Sequence, residues 1–165
     1  MLRALLDAAA ARGTAVVGAA DPAAPDGGFP ASHPGVIVAA AEARPGSAPA
    51  QARAPAGALR APGTDIPTCA PGARWGFVSG ASYAAAHVTG LVALLAQLEP
   101  GASPTRLRAA IVTRNAGGMA LRTADPPERA VQAGSIDACA TIARAAGACT
   151  CSCSSTAAMQ ASRNH

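Results

Sequence analysis

The apolar positions change their period several times along the chain, and each change marks an element. Leu2, Leu5, Leu6 and Ala9 recur at helical spacing, with Arg3, Asp7 and Arg12 off that face, which predicts a short amphipathic helix over residues 2–12. Gly13 is its expected stop. Thr14 to Ala20 is a β-prone run without alternation, as in a parallel-sheet strand covered on both faces. Val36-Ile37-Val38-Ala39-Ala40 repeats that pattern. Between them, residues 21–34 carry the Pro, Gly, Asp and Ser of a loop. Residues 42–56 are aperiodic and predict a second, exposed loop.

The second half is dominated by a helix from about Ser82 to Leu98. Val88, Leu91, Val92, Leu94, Leu95 and Leu98 make it apolar on more than one face, the pattern of a central buried helix. It is preceded by a turn at residues 61–66 between extended segments and by a short strand, Arg74 to Val78. Pro100-Gly101 ends it. Ser103 and Pro104 then supply the N-cap and first position of another helix, whose face is Leu107, Ala110 and Ile111. Gly134-Ser135-Ile136-Asp137-Ala138 is expected to open a last helix to about Ala146, and residues 147–165 to form a disordered, cysteine-bearing tail.

Composition narrows the class. The chain has 165 residues, enough for one domain, and its 17 Gly and 14 Pro favour a loop-rich α/β chain over a helical bundle. Only 2% of it is aromatic, and alanine buries little area, so the core must be built from small side chains. The net charge of +4 comes from scattered arginines with no aromatic residues between them, which argues against nucleic-acid binding. No run is expected to reach the roughly 18 to 20 apolar residues of a membrane span. Asp7 and Arg12 interrupt what would otherwise resemble a signal peptide. Cys149, Cys151 and Cys153 alternate in the tail, a poor spacing for a zinc site, and no metal or cofactor is expected.

The candidate chemistry lies in Gly80-Ala81-Ser82-Tyr83-Ala84-Ala85-Ala86-His87-Val88-Thr89-Gly90, where a serine among small residues opens the apolar helix. The stretch resembles the serine motif of the subtilisin-like serine peptidases (peptidase S8), Gly-Thr-Ser-(any)-Ala-(small)-Pro-His-Val-(small)-Gly. Four other landmarks fall in register with the second half of that family's catalytic domain. Gly13 to Asp21 resembles its strand ending in Ala-Ala-Gly-Asn. Phe29 to Ile37 resembles its Tyr-Pro-Ala segment, Ala61-Pro62-Gly63-Thr64-Asp65-Ile66 its Ala-Pro-Gly-x-x-Ile segment, and Gly134 to Ala138 its closing Gly-x-Ile-(Asp/Asn)-Ala.

The resemblance covers residues 1–146. It implies a parallel α/β sheet with helices on both faces, present without its N-terminal half, and peptides or proteins as substrates. It makes Ser82 the nucleophile, Asp21 the oxyanion position, and Gly18, Ala19 and Ala20 one wall of the substrate pocket. A serine needs a base, and the base an orienting carboxylate. No segment here resembles the family motifs that carry them, so a separate N-terminal half is the expected source of both. The alternative is a non-catalytic module that binds a partner through an exposed sheet edge. His87 lies five residues after Ser82 on one helix and points away from it, and belongs to the serine motif rather than to the triad. His33 is expected at the surface. Asp21 stands where the family usually has an asparagine, and an ionised carboxylate cannot donate to an oxyanion. The family is often secreted or periplasmic, but nothing in these residues fixes a location.

Overall fold

The computed structural model describes residues 1–42, 54–114 and 134–148. Helix α1 spans Leu2–Ala11 and strand β1 Val16–Ala19. Strands β2 (Val36–Ala41) and β3 (Leu59–Ala61) follow, then β4 (Ile66–Ala70) and β5 (Arg74–Val78). Helix α2 runs Ala81–Leu98, α3 Pro104–Ala110, β6 Thr113–Arg114, β7 Gly134–Ile136 and α4 Ala138–Ala145.

The main sheet has the order β1-β2-β3-β7-β6. β1, β2, β3 and β7 are mutually parallel, with Val17 opposite Ile37 and Ala39 opposite Leu59. β6 pairs antiparallel with β7, so the sheet is mixed rather than wholly parallel. β4 and β5 form a separate antiparallel hairpin.

Parallel strands buried on both faces carry continuous apolar runs. β2 fits that rule: Val36, Ile37, Ala39 and Ala40 are all buried. β1 carries the same kind of run, yet all four of its residues are only half-buried. The reason is topological, since β1 is an edge of the sheet among the described residues. The expected helix opening at Gly134 is also corrected. Gly134–Ile136 is a strand, and α4 begins at Ala138, capped by Asp137, whose carboxylate accepts from the Ala140 N–H at 2.9 Å.

The core lies on one face of this sheet. Ala84, Val88, Leu91, Val92 and Leu95 of α2 pack with Ile37, Ala39, Leu59 and Ala61 from the strands and Leu107 and Ile111 beyond α2. Ile142 of α4 joins the same cluster. On the opposite face a smaller cluster of Ala20, Ala40 and Ala58 packs with Val38 and Ala54. α2 also corrects the expectation that no segment could match a membrane span: its 18 residues have a mean hydropathy of 1.4, long and apolar enough to cross one. Core helices pass the same test, and α2 packs against β1, β2 and β3.

Two polar nodes tie the periphery to this core. His33 is only 6% exposed, which corrects its expected surface position. Its Nδ1 accepts from the Gly35 N–H at 3.0 Å, so the proton is on Nε2, which donates to Asp7 Oδ1 at 3.1 Å. The pair fastens α1 to the loop that enters β2. The second node is Thr141, which has no exposure. Its Oγ1 accepts from the Val112 N–H at 2.9 Å and donates to the Asp137 carbonyl at 2.6 Å. Asp137 in turn pairs with Arg114, Nε to Oδ2 at 2.7 Å.

Thr141→Val keeps the shape of the side chain but strands the Val112 N–H, and leaving a buried donor unmade costs about 1–3 kcal/mol. The expected result is a clearly lower urea midpoint for Thr141→Val and a much smaller change for Thr141→Ser, which keeps the hydroxyl. Equal midpoints for the two variants would show that the hydroxyl contributes nothing.

Candidate active site

Ser82 is the second residue of α2, and it is exposed. The position that caps the helix is Gly80, and the cap makes no side-chain hydrogen bond. Ser82 therefore does not explain itself as a capping residue. Residues of a first helical turn present N–H groups without intrahelical partners, and the helix dipole adds partial positive charge there. A hydroxyl and a set of backbone donors thus stand together at the start of α2, the pairing that attack on a carbonyl requires.

The sheet holds this helix end in place. The Gly80 N–H donates to the Gly63 carbonyl at 2.7 Å. Gly63 follows β3 and lies against Ala41, the last residue of β2. The Glu42 N–H donates to the Ala61 carbonyl at 2.9 Å, and Thr64 Oγ1 donates to the Glu42 carbonyl at 3.4 Å. Ser79 reinforces the same turn, accepting from the Asp65 N–H at 2.9 Å. The N-terminus of α2 is thereby pinned to the carboxyl ends of β2 and β3, the end at which open α/β sheets bind ligands.

Asp21 follows β1 at that same carboxyl end. It is exposed, and its Oδ1 accepts from the Ala23 N–H at 2.8 Å, while its own N–H donates to the Gly27 carbonyl at 2.8 Å. Its side chain is an acceptor in a turn and offers no hydrogen-bond donor while ionised.

Gly18, Ala19 and Ala20 are placed on two faces. Ala19 pairs with Ala39 and shares the face that α2 covers. Gly18 and Ala20 face the other way, toward the loop at residues 27–31. A Cβ on Gly18 would lie 2.8 Å from Val36 Cγ1 of the neighbouring strand, so glycine leaves room for the Val36 side chain. The small size of Gly18 thus has a packing reason as well as the one the family resemblance implies.

His33 precedes the opposite, amino end of β2, and a strand of that length separates it from the Ser82 end by roughly 20 Å. His87 is exposed on α2, where its Nδ1 donates to the Tyr83 carbonyl at 2.9 Å. Neither histidine is brought to Ser82. Among the described residues no cluster of three His, Cys, Asp or Glu side chains could hold a metal ion. Cys69 and Cys139 are exposed, while Cys149, Cys151 and Cys153 lie outside the described residues. Sequence reasoning missed the Gly63–Gly80 contact that seats the helix, although Ala61-Pro62-Gly63 is legible as a turn.

The model of Peptidase_S8, the subtilase family, matches residues 7–148. The chain belongs to the subtilase family. Its structural neighbours are subtilisin-like proteases. A protease from Pseudoalteromonas arctica PAMC 21717 superposes with a TM-score of 0.60 at 20% identity, over 87% of this chain and 46% of that one. The prenylagaramide maturation protease PagA gives 0.58 at 20% identity, over 87% and 55%. The serine protease MycP1, a component of the type VII (ESX-1) secretion system, gives 0.55 at 23% identity, over 83% and 46%. A search of curated protein sequences finds no match. At these identities the solved subtilases establish the shared α/β fold, and the present chain spans about half the length of each.

Proposed function

We propose that residues 1–146 are the serine-bearing half of a subtilisin-like peptidase domain that hydrolyses peptide bonds in peptides or proteins, with residues 147–165 as a tail outside it. The observation that carries this reading is the exposed Ser82 at the start of α2, beside a glycine cap that needs no help from its hydroxyl. Ser82 Oγ attacks the scissile carbonyl, and the backbone N–H groups of the first turn stabilise the oxyanion. The proton must go to a base, and neither described histidine stands at Ser82. A second polypeptide segment supplies the histidine and its orienting aspartate. No cofactor is required. Alone, the chain is nearly inactive, since removal of the histidine from subtilisin itself lowers kcat about 10⁶-fold.

A serine-directed fluorophosphonate tests this directly. The chain should label negligibly by itself and should label at Ser82 when complemented with the histidine- and aspartate-bearing half of a subtilase domain. Ser82→Ala should abolish the signal. Labelling that survives Ser82→Ala, or its absence in the complemented sample, removes the assignment. The edge position of β1 supports a second reading, a non-catalytic module that binds a partner, and a soluble monomer that never labels would favour it.

In the active assembly, Asp21 occupies the oxyanion position without a donor. Removing one such donor costs about 10²–10³ in rate, a figure measured on subtilisin itself. Asp21→Asn is therefore expected to raise turnover of the complemented enzyme by up to roughly that factor. Unchanged turnover would take Asp21 out of the oxyanion hole.

A further inference from the structure

The solvent face of the β4–β5 hairpin is out of keeping with the rest of the chain. The chain has four aromatic residues, one Trp, one Tyr and two Phe. Two of them, Trp75 and Phe77, stand two apart on β5 and are 79% and 75% exposed. Residues two apart in a strand share a face. Directly opposite them on β4 are Cys69 and Pro67, both exposed. One side of the hairpin is therefore a strip of Pro67, Cys69, Trp75 and Phe77 with no charged residue in it. A core built from alanine has every use for aromatic rings, and these two are left in solvent.

The hairpin also projects. Among the described residues, β4 and β5 pack extensively only on each other. The body holds the pair at its base, where the Asp65 N–H donates to Ser79 Oγ at 2.9 Å and the Gly80 N–H to the Gly63 carbonyl at 2.7 Å. The far end is the turn Pro71-Gly72-Ala73, and Arg74 follows it. Arg74 is the only charged residue from Ile66 to Val78. Its Nε lies 3.8 Å from where a Cβ on Gly72 would stand, so its side chain folds beside the turn. The nearest acid in sequence, Asp65, is at the base, roughly 17 Å away by strand rise. That is beyond the screening length of about 8 Å at physiological salt. The hairpin is thus apolar on one face and positive at its tip.

We propose that this hairpin docks the protein on the surface of an anionic lipid bilayer, with Trp75 and Phe77 in the interface and Arg74 against the lipid phosphates. The proposal goes beyond peptide-bond hydrolysis and does not depend on Ser82. Three observations select lipid over a protein partner. Two exposed rings at 150–250 Å² each present roughly 300–400 Å², well below the about 800 Å² that each partner of a stable protein interface contributes. A bilayer asks for no complementary surface, and rings with one wet edge settle at headgroup level. The charge is also of the right sign, both at the tip and in the net +4 of the chain.

Trp75 is the only tryptophan, so its emission reports on this strip directly. Mixed phosphatidylcholine–phosphatidylserine vesicles added to the full chain should move that emission to shorter wavelength and carry the protein into the vesicle pellet. One basic residue near an anionic surface contributes about fivefold in binding. Phosphatidylcholine vesicles should therefore bind at least about fivefold more weakly, and Arg74→Gln should lose about that factor on the mixed vesicles alone. Added salt should weaken binding to the mixed vesicles. Phe77→Ala keeps the reporter and should weaken binding about tenfold. Should that variant unfold, Trp75→Ala, read by sedimentation, makes the same test. Leu94→Ala removes an exposed leucine from α2 instead and should bind as the parent does.

Emission unchanged by the mixed vesicles would show that the strip does not meet lipid, even if the chain sedimented through another surface. Short-wavelength emission before any vesicle is added would mean that the strip is already covered, by a second copy if dilution relieves it and by this chain itself if not. Equal binding to both kinds of vesicle would remove the anionic surface as the partner. Each of these overturns the proposal. Ser82→Ala should bind vesicles undiminished, so failure here is distinct from failure to label Ser82.

Discussion

Leu95→Ala is expected to lower the unfolding free energy by about 3–5 kcal/mol, the upper range for leucine truncation in a core. Leu95 has no exposure and sits in the cluster where α2 meets β2 and β3. It shares that cluster with Ile37, Leu91, Val92, Leu107 and Ile111, and a close-packed interior relaxes only partly around a lost isobutyl group. The cavity should therefore stay open, which is the costly case. Leu94, one position along, is 51% exposed, and Leu94→Ala should change stability by no more than about 1 kcal/mol. Urea unfolding followed by far-ultraviolet circular dichroism is the suitable measurement. The only tryptophan, Trp75, is 79% exposed in the folded chain, so its fluorescence would respond weakly. Similar midpoints for the two variants would mean that α2 is not seated on the sheet as described.

The contrast between Leu94 and Leu95 also shows what sequence can and cannot carry. The apolar repeat predicts α2 almost to the residue, because burial fixes a helix through its periodicity. The same repeat cannot say which apolar residues find a partner, since that depends on which chain segments are present to cover them. The β2 strand is legible for the same reason as α2: both faces are buried, so its apolar run is continuous. β1 has the same kind of sequence and a different environment, because edge position is a property of topology and leaves no mark on seven residues.

Short elements escape for another reason. β6 has two residues and β7 three, too few to show a period, and Gly134-Ser135-Ile136 has no strong β preference. The helix start at Asp137 is legible to within a few residues because an aspartate cap acts locally. In the candidate site, Ser82 and Asp21 are identified by resemblance, and the fold brings both to one end of the sheet. The burial of His33 is not legible. It depends on an aspartate 26 residues earlier in α1, a contact that no local pattern announces.

Gly63→Ala is expected to lower stability by about 1–3 kcal/mol or more and to displace the serine as it does so. The added Cβ would lie 2.8 Å from the Ala41 Cβ, 2.9 Å from the Gly80 carbonyl oxygen and 3.1 Å from the Ala41 Cα. Two of these obstacles are backbone atoms, so no rotamer change relieves them. Either the turn moves off β2 or the 2.7 Å bond from the Gly80 N–H to the Gly63 carbonyl stretches. Gly80 is the N-cap of α2, so either response shifts Ser82 two residues later. A misplacement of about 1 Å costs on the order of 10² in rate where reacting groups must be aligned. Fluorophosphonate labelling of the complemented enzyme should therefore slow by about that factor, well beyond what lost folded population explains. Gly90 supplies the control, because a Cβ there meets nothing within 4 Å and the residue lies inside α2. Gly90→Ala should raise stability by about 0.5–1 kcal/mol and leave labelling unchanged. If Gly63→Ala labelled Ser82 at the parent rate in the folded fraction, the turn after β3 would not be what positions the serine.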